Sequence, residues 1–350
     1  MDGTPKSSGY MMPGEWARHE ATWLSWPKNP LTFPAEVIDS VEAVFTQMIA
    51  ALSQGEIVKV LVEDQEMERR MLSLTEEAGA WGRNVRPMRI RSADVWIRDY
   101  GPTFLLDRTG RKGAVKWRFN AWGGKYDDLL YDDQTGEDVV RTTDAQVFRP
   151  GIVLEGGSID VNGRGTVLTT EQCLLHQNRN PQLNREQIEG HLEEYLGAGQ
   201  VIWLTSGIEG DDTDGHVDDF ARFVSEDTVY CAYSPSQATQ NHAVLRRNLE
   251  ILRGSTDQDG RPLKVEKLPM PQPLFLEEES RWLPASYANF YVGNVAVLLP
   301  IFKDRNDRKA IEMMRQAFPD REVVPILAAD LVYGYGGIHC VTQQEPQGRD

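Results

Sequence analysis

The chain has 350 residues, 26% charged and 40% hydrophobic, with a formal net charge of −16. That length suits one large domain or two, and the charge disfavours nucleic acid and anionic membrane while favouring a cationic partner. No uncharged apolar run approaches the ~18 residues of a membrane span. Residues 1–10 are polar with no apolar signal core, so a cytoplasmic protein is expected. Three widely spaced cysteines, Cys173, Cys231 and Cys340, suit free thiols in a reducing compartment better than a disulfide framework.

In chain order, Trp23 to Trp26 reads as a short strand closed by Pro27. Pro34 opens a helix from about Ala35 to Leu52, with Val37, Val41, Val44, Phe45, Met48 and Leu52 at helical spacing. Glu56 to Val62 is a strand, Glu66 to Ala78 a charged helix, and Val85 to Ile90 a strand. Ala93 to Leu106 reads as two strands broken at Gly101-Pro102, and Ala114 to Phe119 runs back. Asp127 to Asp138 is acidic and turn-rich, which predicts a surface segment. Leu154 to Val161 and Thr166 to Thr169, joined at Asn162-Gly163, form the clearest hairpin. A helix over Asn184 to Leu196 and a strand over Gln200 to Leu204 follow.

Gly215 to Phe223 and Thr228 to Ala232 repeat the hairpin, followed by a helix at Gln240 to Leu252 and a strand at Leu263 to Leu268. Ser286 to Pro300 is a further hairpin, Asp304 to Phe318 a helix and Val323 to Leu327 a strand. Hairpin, helix and strand thus recur at roughly 60–70 residues, longer than common solenoid periods. The pattern predicts a single α/β domain over residues 1–350, built from five ββαβ units in a closed, propeller-like ring whose loops share one central face. The C-terminal strand would complete the first unit. A doubly wound α/β sheet is the alternative. No G-x-G-x-x-G follows a strand and no P-loop is present, so no cofactor is expected.

The chemistry-bearing candidates are scattered. Cys340 follows the glycine-rich bend Gly334-Tyr335-Gly336-Gly337, where a nucleophile would be presented; a buried structural thiol is the bland reading. His216 and Asp218 sit two apart in an expected strand, so both side chains face one side and Asp219 faces the other. A histidine beside a carboxylate suits acid–base work near neutral pH. Glu155 precedes Gly156-Gly157 in a segment that otherwise reads as core, where a carboxylate needs a partner or a polar cavity. Asp99 follows Arg98, which on a strand points away from it. A metal on some mixture of Glu155, His216, Asp218, His339 and Cys340 lacks any recognisable ligand spacing, and none is expected.

The sequence resembles the agmatine deiminase family of guanidine-modifying enzymes. The resemblance rests on Met12-Pro13-Gly14-Glu15-Trp16, Trp23-Leu24-Ser25-Trp26-Pro27, Trp96-Ile97-Arg98-Asp99-Tyr100-Gly101-Pro102, Phe119-Asn120-Ala121-Trp122-Gly123-Gly124, Leu154-Glu155-Gly156-Gly157, Thr213-Asp214-Gly215-His216-Val217-Asp218 and Gly336-Gly337-Ile338-His339-Cys340, in order over nearly the whole chain. It implies the five-bladed ββαβ propeller of the pentein fold. It also implies Cys340 as nucleophile, His216 as acid/base, Glu155 as the carboxylate that orients His216, and Asp99 and Asp218 as the pair gripping the guanidinium. Trp96 and Asp212 would add substrate contacts, with Asp212 meeting the distal ammonium.

The implied reaction is hydrolysis of agmatine to N-carbamoylputrescine and ammonia through a covalent cysteine intermediate, on a small cationic guanidinium substrate, with no metal or cofactor. A homo-oligomer is compatible with the sequence. Two positions depart from the family pattern: Tyr335 interrupts a glycine-rich run, and Asp212 stands where agmatine-specific relatives often carry glutamate. The alternatives are a deiminase of arginine or peptidyl-arginine, and a catalytically idle guanidine-binding protein.

Overall fold

A computed structural model describes residues 3–237 and 239–349. Among these residues one pairing rule builds five of the six sheets: an antiparallel strand pair, then a third strand parallel to the second. In the first complete unit Thr103–Asp107 pairs antiparallel with Lys112–Val115, which pairs parallel with Gln146–Phe148. The other units contain Asp160–Val161, Thr166–Thr170 and Gln200–Leu204; Ala221–Phe223, Thr228–Tyr233 and Lys264–Pro269; and Tyr291–Val292, Ala296–Ile301 and Glu322–Leu327.

Parallel neighbours need a long crossover, and a helix supplies it in each unit. These are Asp132–Arg141, Arg185–Leu196, Asn241–Gly254 and Asp307–Ala317.

The fifth unit is assembled from both ends of the sequence. Gln343–Pro346 pairs antiparallel with His19–Ser25, which runs parallel to Ile57–Val62, and that strand parallel to Val85–Arg89. The helix Ile38–Leu52 crosses between them and buries Val41, Val44, Phe45, Met48 and Leu52, the apolar stripe its spacing predicts. Glu345 fixes the closing strand. Its carboxylate accepts hydrogen bonds from the Trp23 indole at 2.8 Å, Lys59 Nζ at 2.6 Å and Lys112 Nζ at 2.9 Å. No helix among the described residues is long and apolar enough to cross a membrane.

Three segments expected as strands are single helical turns instead: Ile97–Tyr100, Gly156–Ser158 and Val217–Asp219. Each immediately precedes or leads into the first strand of its unit, so these are the connections between units rather than sheet. The acidic stretch expected on the surface is partly a helix, Asp132–Arg141, and Asp132 is buried. Its carboxylate accepts the backbone N–H groups of Ala93 at 2.6 Å and Asp94 at 3.0 Å. A sixth, two-stranded sheet, Leu274–Leu276 with Arg281–Leu283, stands outside the repeat.

The helix Arg185–Leu196 begins with a complete capping box, in which Asn184 and Gln187 satisfy each other's backbone N–H groups. Asn184→Ala is expected to lower stability by about 1 kcal/mol and leave turnover unchanged. A shift in the urea midpoint without a change in slope would show it; no shift would mean that the cap contributes nothing.

Candidate active site

The turns between units all point one way. Gly157 shows this best: a Cβ added there would lie 2.6 Å from His216 Nδ1, 2.9 Å from Asp99 Oδ1 and 3.0 Å from Asp218 Oδ2. Three polar side chains from two other units therefore crowd one backbone position, and only a residue without a side chain fits between them. The fifth unit adds Cys340. Its thiol lies 3.8 Å from Asp218 Oδ2 and accepts a hydrogen bond from Asn289 Nδ2 at 3.2 Å. The fourth unit contributes through that same Asn289, whose amide nitrogen also donates to Asp219 at 2.9 Å and whose oxygen accepts the His339 N–H at 2.8 Å. Each unit thus delivers a polar residue just ahead of its first strand.

Asp99 and Asp218 are both buried but held differently. Asp99 accepts the Gly157 N–H at 3.0 Å and the Trp122 indole N–H at 2.9 Å. Burial raises its pKa to about 6; His216 opposes the rise, and Asp218 and Glu155 add to it. Asp218 is lowered despite its burial, because His339 Nδ1 sits 2.6 Å from Oδ2. Its other oxygen, Oδ1, has no hydrogen-bond partner among the described residues. His339 in turn faces Glu15 through Nε2 at 2.8 Å. Glu15 also accepts from Arg222 at 2.9 Å and from the Val292 N–H at 2.8 Å. Burial opposes ionisation of Glu15, yet Arg222, His339 and Arg98 hold it well below the usual carboxylate range. Arg98 turns from Asp99, as expected, and donates to Gln344 at 2.7 Å.

His216 is buried with no hydrogen-bond partner at either ring nitrogen among the described residues. Nδ1 is 3.8 Å from Asp99 Oδ1, and Nε2 is 4.0 Å from Glu155 Oε2. Burial works to lower its pKa, but Asp99, Cys173 and Asp218 together raise it well above the ordinary value. Glu155 gives its other oxygen to Arg179 Nε at 2.6 Å. The Cys340 thiol is pushed far up by burial, Asp218, Asp219 and Asp99. Two trios, Glu155–Cys173–His216 and Asp218–Asp219–Cys340, have metal-ligating atoms within 4.8 Å. Arg179 and His339 already engage the key carboxylate of each, which favours charge pairing over metal ligation.

A cavity of about 300 Å³ reaches Cys340 and Asp99, with Trp96 and Trp122 along its walls. Asp212 lines its outer part and accepts the Tyr126 hydroxyl. Tyr335 and Arg281 form another wall: the Arg281 guanidinium lies 3.2 Å from the centre of the Tyr335 ring. Tyr335 holds φ of 73°, a backbone conformation that glycine adopts freely and tyrosine rarely. The loop shape of a glycine-rich run is therefore kept.

Residues 11–346 match the family model described as Porphyromonas-type peptidyl-arginine deiminase. The agmatine deiminase of Stutzerimonas stutzeri (strain A1501) is 37% identical over 367 aligned positions, spanning 99% of this chain and 98% of that one. The chain belongs to the agmatine deiminase family. The solved structure of an Enterococcus faecalis agmatine deiminase, described as catalysing its reaction, superposes with a TM-score of 0.90 at 35% identity, covering 99% of this chain and 98% of that one. A substrate-bound variant of the C. jejuni agmatine deiminase gives 0.87 at 30% identity, covering 97% of each.

Of the seven residues the family resemblance singled out, Trp96, Asp99, Asp212 and Cys340 line this cavity; behind them Asp218 lies 3.8 Å from Cys340 and His216 3.8 Å from Asp99, with Glu155 a further 4.0 Å from His216. His216 and Asp218 converge through a helical turn, not through alternation on a strand. Asp219, expected to face away, lies in the Cys340 trio. Glu155 is near His216 but beyond hydrogen-bond reach. His339, named from sequence only among possible metal ligands, backs Asp218. Asn289 and Glu15 were not anticipated. Asn289 occupies, in the fourth unit, the place of Asp99 and Glu155 in theirs, so the repeat itself was the signal.

If Asp99 must be ionised to bind a guanidinium, binding is complete above its pKa of about 6 and lost below it. Calorimetric titration of the Cys340→Ser variant with an alkylguanidinium should show affinity falling about tenfold from pH 7 to pH 5. A flat profile would remove Asp99 from the binding site.

Proposed function

We propose that the protein hydrolyses agmatine to N-carbamoylputrescine and ammonia. The observation that carries this reading is one cavity that reaches the Cys340 thiol and buried Asp99, with buried Asp218 3.8 Å from that thiol and Asp212 farther out. A guanidinium presents a planar fork of N–H donors, and carboxylates match it with charge-assisted hydrogen bonds. Asp218 Oδ1, without a partner among the described residues, is one free acceptor for that fork. A C4 chain then carries an ammonium outward to Asp212, between the Trp96 and Trp122 walls. The names of the full-length relatives support the same substrate class.

In the proposed reaction Cys340 gives up its proton to solvent as substrate binds, and the thiolate attacks the guanidinium carbon. His216, protonated at the start, donates its proton to one guanidine nitrogen; the C–N bond breaks and ammonia leaves. A thiouronium bound through sulfur remains. Water gives a proton to the now neutral His216 and adds as hydroxide to the same carbon. Breaking the C–S bond, with the hydroxyl proton released to solvent, returns the thiolate and leaves the neutral ureido product. Glu155 keeps His216 in place, and Asp99 and Asp218 fix the carbon in line with sulfur, so positioning supplies much of the rate. We further infer that the five repeating units close into the five-bladed propeller of the pentein fold, with this cavity on its axis.

A second reading, arginine or an arginyl peptide as substrate, draws on Arg281, a cation at the outer cavity that could meet a carboxylate, and on the family model's description. Assaying ureido product from agmatine, arginine and a blocked arginyl peptide separates the readings. Agmatine is expected to give the highest kcat/KM; product from the peptide alone would overturn the assignment, and none from any would end the enzyme reading. Cys340→Ser should abolish turnover while the fold is kept.

The empty site holds the Cys340 thiol protonated, and a bound cation offsets the three nearby carboxylates. Alkylation of Cys340 by iodoacetamide at neutral pH should therefore be slow in the free protein, with a pH midpoint that falls when a small, unreactive guanidinium is bound. A thiol already fully ionised at pH 7 in the free protein would rule out this order of events.

A further inference from the structure

One buried nucleophile has no part in that reaction. Cys173 is fully buried in the one-turn helix Glu171–Leu174, where its backbone N–H is held by Thr170 Oγ1 at 3.1 Å. Its Sγ lies 4.0 Å from Glu155 Oε2, and its ligating atom, one from Glu155 and one from His216 all fall within 4.8 Å of one another. A direct Glu155–His216 hydrogen bond is ruled out at 4.0 Å. Arg179 holds the far oxygen of Glu155 at 2.6 Å, so the carboxylate is not free to swing closer. His216, 1% exposed, has no other hydrogen-bond partner among the described residues. A thiol is both a weak donor and a weak acceptor, and its sulfur acts over longer distances than oxygen.

We propose that Cys173 is a positioning residue that links Glu155 to His216: its S–H points to Glu155 Oε2, and its sulfur faces the imidazole edge. No proton changes owner and no bond is made in this role. The carboxylate steers the imidazole through a soft, polarisable atom instead of gripping it. That leaves the ring free to tilt between the leaving nitrogen and the incoming water, which are not at the same place. The three atoms form a triangle with Cys173 beside both groups, so a smaller side chain would leave a void beside the ring.

The inference rests on His216 as the acid/base, and its test has one arm that does not. With agmatine as substrate, Cys173→Ala should lower kcat at least tenfold with KM within about threefold, a fraction of what acid–base catalysis contributes. It should also move the pH dependence of kcat by half a unit or more. Cys173→Ser, which keeps a polar bridge of smaller reach, should recover part of both and controls for misfolding of the alanine variant. Independently of turnover, the NMR titration of the His216 ring should differ between wild type and either folded variant. A fall in kcat with unchanged pH dependence and unchanged His216 titration would make Cys173 a packing residue and overturn the proposal. If the wild type makes no ureido product but the His216 titration still shifts in the variants, the linkage stands and the assigned reaction falls.

Discussion

The site depends on one electrostatic arrangement: carboxylates buried around a thiol, with the imidazoles of His216 and His339 as their near partners. Isolated buried charge is costly unless paired, and each carboxylate is handled differently. Asp218 leans on His339, which leans on Glu15, which leans on Arg222, which donates from Nε to Asp160. That chain holds Asp218 ionised from behind while leaving its front oxygen open. Asp99 accepts the Gly157 N–H and the Trp122 indole N–H and lies 3.8 Å from the His216 ring, and burial still raises its pKa. In the proposed reaction a guanidinium arriving between the two carboxylates adds positive charge to a site that is rich in negative groups.

The repeated unit explains how residues so far apart in sequence come to share this arrangement. Each unit opens with a bend that brings a polar side chain to the same end of its sheet, and five such bends provide Asp99, Glu155, His216 with Asp218, Asn289, and Cys340. Helices cross back from the second strand of each unit to the third, and the buried stripe of Ile38–Leu52 shows how ordinary amphipathic packing holds one unit together.

Helices and parallel strands were legible because their periodicities run for several turns or residues; Gln200–Leu204 and the helix ending at Leu196 fall where the pattern puts them. The site-bearing bends were not. A turn of three or four residues carries no period, and Trp96 to Asp99 or His216 to Asp219 alternates well enough to pass for a strand. The family motifs pointed to residues that the structure brings close together even where the local geometry was misread. Asn289 escaped because it sits among apolar neighbours with no charge to mark it, and His339 because its value lies in a contact to Asp218 more than a hundred positions away. The two-stranded sheet at Leu274–Leu283 interrupts an otherwise regular series and carries Arg281 to the cavity wall.

The pairing of Gln343–Pro346 with His19–Ser25 has a consequence for how the protein is made. During synthesis the strand at His19–Ser25 is complete long before its antiparallel neighbour exists. Until then the first sheet presents an open edge of the kind that recruits other chains. The stretch that finally covers the edge follows directly after Cys340. One late event therefore shields the nascent molecule from aggregation and sets in place the thiol proposed as its nucleophile, and a chain still exposed to misassembly is also a chain without Cys340 in its site.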